Sequence, residues 1–220
     1  MSGLLVQVAV YGLAAALAAP MAIVVSALIL GKSKRPSLSV WTFTAGAAFL
    51  NIVFAVVLLA SGLFDEGGDA GAIVDVGLGI IFGAMGLLAV FGAESPEKDA
   101  ARRARAEQIA SAKLSTLFVT GIVVQVINFD AIAVFGGALK EIAEGDITTG
   151  EEILVTLFGL AIMLSVYYLP AVMYRLSPER AGPFLRRMSE WILGHGRQLE
   201  IVVGLGFGAL FLWKGLAVLV

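Results

Sequence analysis

The chain has 220 residues, of which 59% are hydrophobic and 15% are charged, with no cysteine and a single histidine. Soluble domains average about 45–50% apolar and about 25% charged residues, and a soluble core of 23.0 kDa cannot bury so much apolar surface. The composition therefore predicts an integral membrane protein. It excludes disulfides and thiolate metal sites and disfavours histidine-based zinc sites.

Six apolar segments are each long enough to cross a bilayer as a helix, which requires about 20 mostly apolar residues. Their apolar runs are continuous, which is typical of helices rather than of membrane strands. In chain order they cover residues 4–30, 38–63, 72–92, 114–139, 153–174 and 199–219. We therefore expect an all-α integral membrane protein with six transmembrane helices in a single domain, 1–220.

The loops between these segments alternate in charge. All but two of the 15 basic residues lie in the first, third and fifth loops, whereas the second and fourth loops are acidic. The positive-inside rule places the basic loops in the cytoplasm. A six-span chain with cytoplasmic odd-numbered loops has both termini outside. The third loop, residues 94–113, is expected to be a polar cytoplasmic linker.

The fifth loop contains a second kind of helix, predicted over residues 178–195, which Ser177 would cap and Pro178 would begin. Its apolar residues fall on one face, so we expect a helix that lies on the inner membrane surface. The alternative is a passive anchor. Contacts with anionic lipid headgroups are predicted for Arg180, Arg186, Arg187 and Trp191.

The two halves of the sequence resemble each other. At an offset of 109 residues, Pro20 aligns with Phe129, and three residues of helix 1 match helix 4: Gly12, Ala22 and Ile23 match Gly121, Ala131 and Ile132. At an offset of 127, Val-Gly-Leu-Gly recurs at residues 76–79 and 203–206. Because each half has three helices, the second half would enter the membrane from the opposite side. This predicts a 3+3 inverted repeat, with repeat one at about 1–93 and repeat two at about 114–220, a common plan in secondary transporters.

Asp130 is the main candidate for chemistry, because it lies well inside helix 4. An ionised Asp at the bilayer centre costs about 2.5–3.5 kcal/mol on insertion scales. Such a residue is retained when it faces a cavity, pairs with a cation or carries a proton. Asn128 and Gln125 lie close by in sequence, so we predict a substrate or proton pathway along this part of helix 4. The alternatives are a structural hydrogen-bond cluster and a helix end that brings Asp130 nearer to water.

Further pathway residues are predicted in helices 1 and 2. Pro20 removes a helix hydrogen bond and frees a carbonyl, but the sequence leaves open whether helix 1 is bent or unwound there. Asn51, midway along helix 2, would reach the same cavity or join two helices by a hydrogen bond. Pro170 is expected to break helix 5 after two interfacial tyrosines, Tyr167 and Tyr168.

Two charged residues near helix ends and two pairs of glycines are expected to have structural roles. Lys214 is expected to snorkel outward and Asp75 to be wetted. The spacing of Gly79 and Gly83, and of Gly204 and Gly208, predicts close helix packing, with a dimer interface as the alternative.

Several segments together resemble the LysE superfamily of small exporters, and most closely its GAP branch, the sulfolipid- and peptidoglycolipid-addressing proteins. They are the Pro20 break followed by Ile23-Val-Val-Ser and a basic turn, Asn128-Phe-Asp130 in helix 4, and the tail from Ser177-Pro-Glu-Arg to Gly196-Arg197. The sequence has Ala19 before Pro20, where relatives have Asn, and Phe129 where they have Pro. The resemblance implies export of a small molecule or lipid, location in a bacterial inner (plasma) membrane, and association into dimers.

The leading interpretation is a LysE-type exporter that moves a lipid or glycolipid from the cytoplasmic leaflet outward and is coupled to protons by Asp130. One alternative is an exporter of a small polar solute, an amino acid or a cation. The other is a non-transporting membrane subunit of a lipid-transport complex. No enzyme is expected, because no Ser/His, His/Glu or paired-Asp arrangement occurs at matching depth. No cofactor, metal or nucleic-acid partner is predicted; membrane lipids and the cargo are.

Overall fold

The computed structural model describes residues 2–61, 69–91, 104, 108–109 and 112–219, and these residues form ten helices and no strand. The predicted linker, 94–113, lies largely outside the described residues. We number the helices in chain order: α1 Ser2–Ala18, α2 Pro20–Lys32, α3 Pro36–Ala60, α4 Asp69–Phe91, α5 Leu114–Ile127, α6 Phe129–Ala143, α7 Thr149–Met163, α8 Ser165–Leu176, α9 Pro178–Gly194 and α10 Gly196–Leu219.

The apolar helices confirm an α-helical membrane protein. Two of them, α3 and α10, are each long and apolar enough to cross a membrane. Three further pairs, α1–α2, α5–α6 and α7–α8, satisfy the same test together but are bent at short breaks, so up to five spans are present if each pair is one span. The apolar part of α4, Asp75–Phe91, is shorter and coincides with the remaining predicted segment.

The first predicted span is broken rather than gently bent. α1 ends at Ala18, α2 begins at Pro20, and the two helices meet at 64°. Proline is well suited to the first position of a helix, because its missing N–H has no intrahelical acceptor there. The fourth span has the same design, with α5 and α6 at 76° around Asn128.

These two breaks occur at equivalent positions of the sequence repeat. The first residues of α2 and α6, Pro20 and Phe129, are the residues that align at the offset of 109. The residues between the paired helices, Ala19 and Asn128, have nearly equal ψ angles of 50° and 51°, with φ of −113° and −83°. Phe129 thus begins a helix in the place that a proline occupies in the first half.

The fifth span breaks at a different place from the one predicted. α7 and α8 meet at 67° around Leu164, and Pro170 lies inside α8. The expectation that Pro170 ends the helix was therefore wrong. Its ring removes only the hydrogen bond that would reach the carbonyl of Val166, and α8 continues through it to Leu176.

Glycines bring α4 and α10 into backbone contact, and this is the most extensive helix contact among the described residues. A Cβ added at Gly204 would lie 2.6 Å from the backbone of Gly86, and one at Gly208 would lie 2.7 Å from the backbone nitrogen of Gly83. The prediction of close helix packing at these glycines is confirmed. The two helices run antiparallel, since Gly204 lies beside Gly86 while Gly215, near the other end of α10, lies beside Ala72.

A second glycine crossing joins the two halves at α3 and α5. A Cβ on Gly46 would collide with the backbone carbonyl of Phe118, and one on Gly121 would collide with that of Phe43. These two helices carry Asn51 and Gln125, so the crossing holds both amide side chains in the same layer of the protein.

The helix predicted at 178–195 is present as α9, Pro178–Gly194. Ser177 occupies its N-cap position, but the Ser177 side chain makes no capping hydrogen bond, contrary to expectation. Part of the apolar face packs against the protein, where Leu185 and Ile192 are buried, while Phe184 and Trp191 stay exposed. The helix therefore lies against α2 and α8 and presents an apolar edge outward.

We expect Gly208→Ala to lower the unfolding midpoint of the detergent-solubilised protein and Gly206→Ala to leave it unchanged or raise it slightly. A methyl group at Gly208 meets the α4 backbone, whereas at Gly206 it meets nothing within 4 Å. Overpacking of this kind costs about 1–3 kcal/mol. Equal melting of the two variants would contradict the packing described for α4 and α10.

Candidate functional site

A buried polar cluster lies where α2, α3, α5 and α8 meet, and it consists of Ser26, Asn51, Gln125 and Tyr167. All four residues are fully buried, at 0% exposure. The Tyr167 hydroxyl donates to Gln125 Oε1 at 2.5 Å, and Gln125 Nε2 donates to Asn51 Oδ1 at 3.3 Å. Asn51 Nδ2 donates in turn to the carbonyl of Ala47 at 2.8 Å. These bonds form a continuous chain of donors and acceptors across three helices.

Ser26 ties α2 to the start of α8. Its hydroxyl donates to the backbone carbonyl of Tyr167 at 2.9 Å. The neighbouring carbonyl, that of Val166, receives no helical hydrogen bond because Pro170 has no N–H to donate. The bond fixes α8 directly beyond the break at Leu164 and holds the Tyr167 ring, which also packs on Phe43 with centroids 5.3 Å apart.

Asn128, at the break between α5 and α6, adds a donor without an acceptor. Its side chain lies within reach of the Tyr167 hydroxyl, but its buried amide nitrogen makes no hydrogen bond of good geometry to the described residues. A buried donor left without an acceptor costs about 1–3 kcal/mol. Such a group is therefore available to an acceptor that a bound molecule would bring.

Asp130 lies outside the hydrogen-bonded cluster. It stands in the first turn of α6, where the positive end of the helix favours a carboxylate, and its Oδ1 accepts the backbone N–H of Ala131 at 2.9 Å. It is half-buried and lies within electrostatic range of Tyr167 and of Glu200, near the start of α10.

The structure thus brings together some of the predicted pathway residues and separates others. Asn51 and Gln125 are bonded directly, with Asn128 close to them. Pro20 begins α2 at the other break and is half-buried. Tyr167 was missed, because a tyrosine near the end of an apolar segment is usually an interfacial anchor. Only its neighbour fits that interpretation, since Tyr168 is partly buried and bonds locally to Ala161.

A second polar group was also missed, a buried ion pair between α4 and α6. Lys140 Nζ lies 2.7 Å from Asp75 Oδ2, and the two side chains are 8% and 2% exposed. The expectation that Asp75 is wetted was therefore wrong. Lys140 also lies 4.0 Å from Glu144, one turn along α6. Ionisable residues within membrane segments are costly and are tolerated when they pair.

Lys214 of α10 forms a similar contact. Its ammonium pairs with the carboxylate of Glu141 and donates to the Tyr11 hydroxyl at 2.9 Å. Lys214 thus points into the protein and does not snorkel outward as predicted. Lys140 and Lys214 are the two basic residues that lie outside the basic loops. Each is paired with acidic residues of another helix, which explains why they depart from the charge pattern.

These contacts define two ends of the molecule. The ion pairs join the beginning of α4 to the final turns of α6 and α10. At the opposite end, Arg197 at the beginning of α10 donates to the carbonyls of Ala89 and Val90 at 2.9 and 2.7 Å. The end of α4 therefore lies beside the beginning of α10, which directly follows the end of α9. All three helix ends flank the predicted basic loops.

The predicted headgroup residues Arg180, Arg186, Arg187 and Trp191 are all exposed on α9. Arg186 also borders a cavity between α9 and α2, which is described below. Among the described residues, no group of three or more Asp, Glu or His side chains could hold a metal ion.

Comparison with known proteins gives one finding. Residues 8–217 match the model of the SfLAP family, described as Sap, sulfolipid-1-addressing protein. No curated protein and no solved structure matches the chain.

Tyr167→Phe should destabilise the protein by about 1–3 kcal/mol, because it leaves the buried Oε1 of Gln125 without its donor. The matched control is Tyr168→Phe, whose hydroxyl is near the surface and whose stacking on Trp41 the variant keeps. Thermal unfolding in mild detergent would measure both variants. A larger loss in Tyr168→Phe would count against the cluster.

Lys140→Met should cost about 3–5 kcal/mol, since it leaves the Asp75 carboxylate buried without its cation. The double variant Lys140→Met with Asp75→Leu should recover most of the lost stability, because neither charge then remains. Glu144 is partly exposed and lies 4.0 Å from the Lys140 ammonium, so Glu144→Gln should change the unfolding midpoint little. If the double variant is as unstable as the single one, the ion pair is not the source of the effect.

Proposed function

Because the chain belongs to the SfLAP family, the sulfolipid-1-addressing proteins, we propose that it is a membrane transporter that exports a lipid or glycolipid, and not an enzyme. The family description supports an acidic, sulfur-bearing lipid as the cargo class. The cargo would move from the cytoplasmic leaflet of a bacterial inner membrane toward the outside.

The observation that carries this proposal is the pair of broken helices beside a buried polar cluster. In membrane proteins, non-helical backbone at membrane depth is tolerated where it is buried in protein or lines a cavity. Secondary transporters use such discontinuous helices to bind substrate between two repeats. Here the breaks at Ala19 and Asn128 correspond in the sequence repeat, and the cluster borders the second of them.

The same observations support a LysE-type plan of six spans in a 3+3 inverted repeat. Helices α1–α4 form repeat one, within about 1–93, and the part from α5 to α10, within about 114–220, forms repeat two around the added helix α9. In such a repeat α1 corresponds to α5, α3 to α7, and α4 to α10. The helix contacts are consistent with this correspondence, because α1 contacts α7 and the equivalent helices α5 and α3 contact each other. The helix α4 contacts its own counterpart, α10. The basic loops flank the Arg197 end, which we assign to the cytoplasm by the positive-inside rule.

In this scheme the ion pairs close the outer end. The Asp75–Lys140 and Lys214–Tyr11 contacts each join one repeat to the other, so they would have to separate before cargo left on that side. Asp130 would carry the coupling proton, because it is half-buried at a helix start beside the cluster. The Asn128 amide nitrogen would donate to a polar group of the cargo.

Reconstitution into liposomes tests this function. A fluorescent sulfated glycolipid and its unsulfated parent are followed from one leaflet to the other by accessibility to a membrane-impermeant quencher, with and without a proton gradient. We expect faster, gradient-dependent movement of the sulfated lipid only in vesicles that contain the protein. In Asp130→Asn the gradient should no longer accelerate movement, whereas the exposed loop variant Asp146→Asn should behave as wild type.

The other outcomes separate the alternatives. Gradient-driven transport of an amino acid or cation, without lipid movement, would indicate an exporter of small polar solutes. A folded protein that moves neither class of molecule would indicate a non-transporting subunit of a lipid-transport complex. Equal movement of both lipids would contradict selective export.

A further inference from the structure

A cavity of about 460 Å³ lies between α2 and α9, on the side of the molecule that carries the basic loops. Its walls are apolar and come from both helices, with Val24, Ala27 and Leu28 of α2 facing Leu185 and Leu193 of α9. The volume lies within the range of about 300–1,000 Å³ that is usual for small-molecule sites.

The rim of this cavity is charged. Lys32, the last residue of α2, and Arg186 and Glu190 of α9 line it, and all three residues are exposed. Ser189 also lines the cavity, but its hydroxyl donates to the carbonyl of Leu185 at 2.8 Å, which keeps that wall free of an unpaired donor. The site therefore combines an apolar interior with a rim of two cations and one carboxylate.

We infer that this cavity binds the headgroup end of an anionic lipid that bears a sulfate or phosphate ester. The inference rests on the proposed function, because it assigns the place where cargo leaves the cytoplasmic leaflet. A wholly apolar occupant would bring no polar group to the charged rim, and a small inorganic anion would leave the apolar walls unfilled. An anionic amphiphile satisfies both parts of the site.

The rim residues can divide the recognition of such a headgroup. The planar guanidinium of Arg186 suits two oxygens of a sulfate or phosphate ester, and Lys32 adds a compact positive charge. The carboxylate of Glu190 only accepts hydrogen bonds when ionised, so it fits hydroxyl groups of a sugar. The apolar walls of the cavity, at Leu28 and Leu185, would hold the beginning of the lipid tails.

Native mass spectrometry of the full chain in mild detergent tests this site with two matched lipids, a sulfated galactosylceramide and galactosylceramide itself. We expect the sulfated lipid to bind at least about tenfold more tightly, as charge-assisted bonds to Arg186 predict. Phosphatidylglycerol should share the preference over phosphatidylcholine. Equal affinity for the sulfated and unsulfated lipids would overturn the inference.

Variants locate the binding. Arg186→Gln should remove about a tenfold preference for the sulfated lipid, and Leu28→Trp should weaken binding by filling the cavity. Arg187→Gln is the matched control, because this arginine is exposed on the same helix and does not line the cavity. Unfolding midpoints identify any variant that is misfolded, in which case Lys32→Gln replaces it. Equal loss in Arg186→Gln and Arg187→Gln would show diffuse attraction and overturn the site.

Three further results distinguish binding of the lipid from binding of a soluble anion and test the cavity separately from the transport proposal. If sodium sulfate displaces the sulfated lipid at concentrations near those of the lipid, the site is for a free anion and the inference fails. If wild type binds the lipid through Arg186 but moves none in liposomes, the cavity is supported and the exporter is not. If the protein transports the lipid while Arg186→Gln binds it as wild type does, the exporter stands and the cavity fails.

Discussion

A membrane interior offers no water to backbone groups, so each helix break has to find its partners inside the protein. Three apolar segments of this chain break, and the architecture follows from satisfying them. One turn past the break at Leu164, the carbonyl of Tyr167 accepts from Ser26 of another helix, which fixes α8 in place. The hydroxyl of Tyr167 then bonds Gln125, which bonds Asn51. One connected cluster thus stabilises the region where four helices meet.

The glycine crossings make this arrangement sterically feasible. Without side chains at Gly46 and Gly121, the backbones of α3 and α5 approach closely, and the amides of Asn51 and Gln125 come within bonding distance. The crossing of α4 and α10 has the same character, and its described polar contacts lie toward its two ends, at Asp75 and at Arg197. In a membrane, close van der Waals packing of this kind replaces the hydrophobic effect as the force between helices.

Charge is divided between the two ends of the molecule. At one end, Lys140 pairs with Asp75 of the other half, and Lys214 pairs with Glu141 of its own half while donating to Tyr11 of the other. At the other, the arginines of α9 are exposed, and a cavity opens beside them. Paired charges hold helices together, whereas exposed cations next to an apolar cavity suit an anionic amphiphile. This asymmetry is the physical basis for the proposed export scheme, in which cargo would be taken up at the basic end.

The sequence by itself determined the membrane class, the apolar segments and the helix predicted at 178–195, and it aligned Pro20 with Phe129 without predicting that a helix begins at each of them. These features are local, since they depend on the length of apolar runs and on amphipathic spacing, whereas the break at Asn128 was seen only in the structure. Only the tertiary structure decided that Tyr167 and Ser26 complete the cluster, that Asp75 pairs with Lys140, and that the fifth span bends at Leu164 rather than at Pro170. Each of these depends on a residue of a distant helix, in the case of Asp75 and Lys140 65 positions away, and helical periodicity does not specify which faces meet.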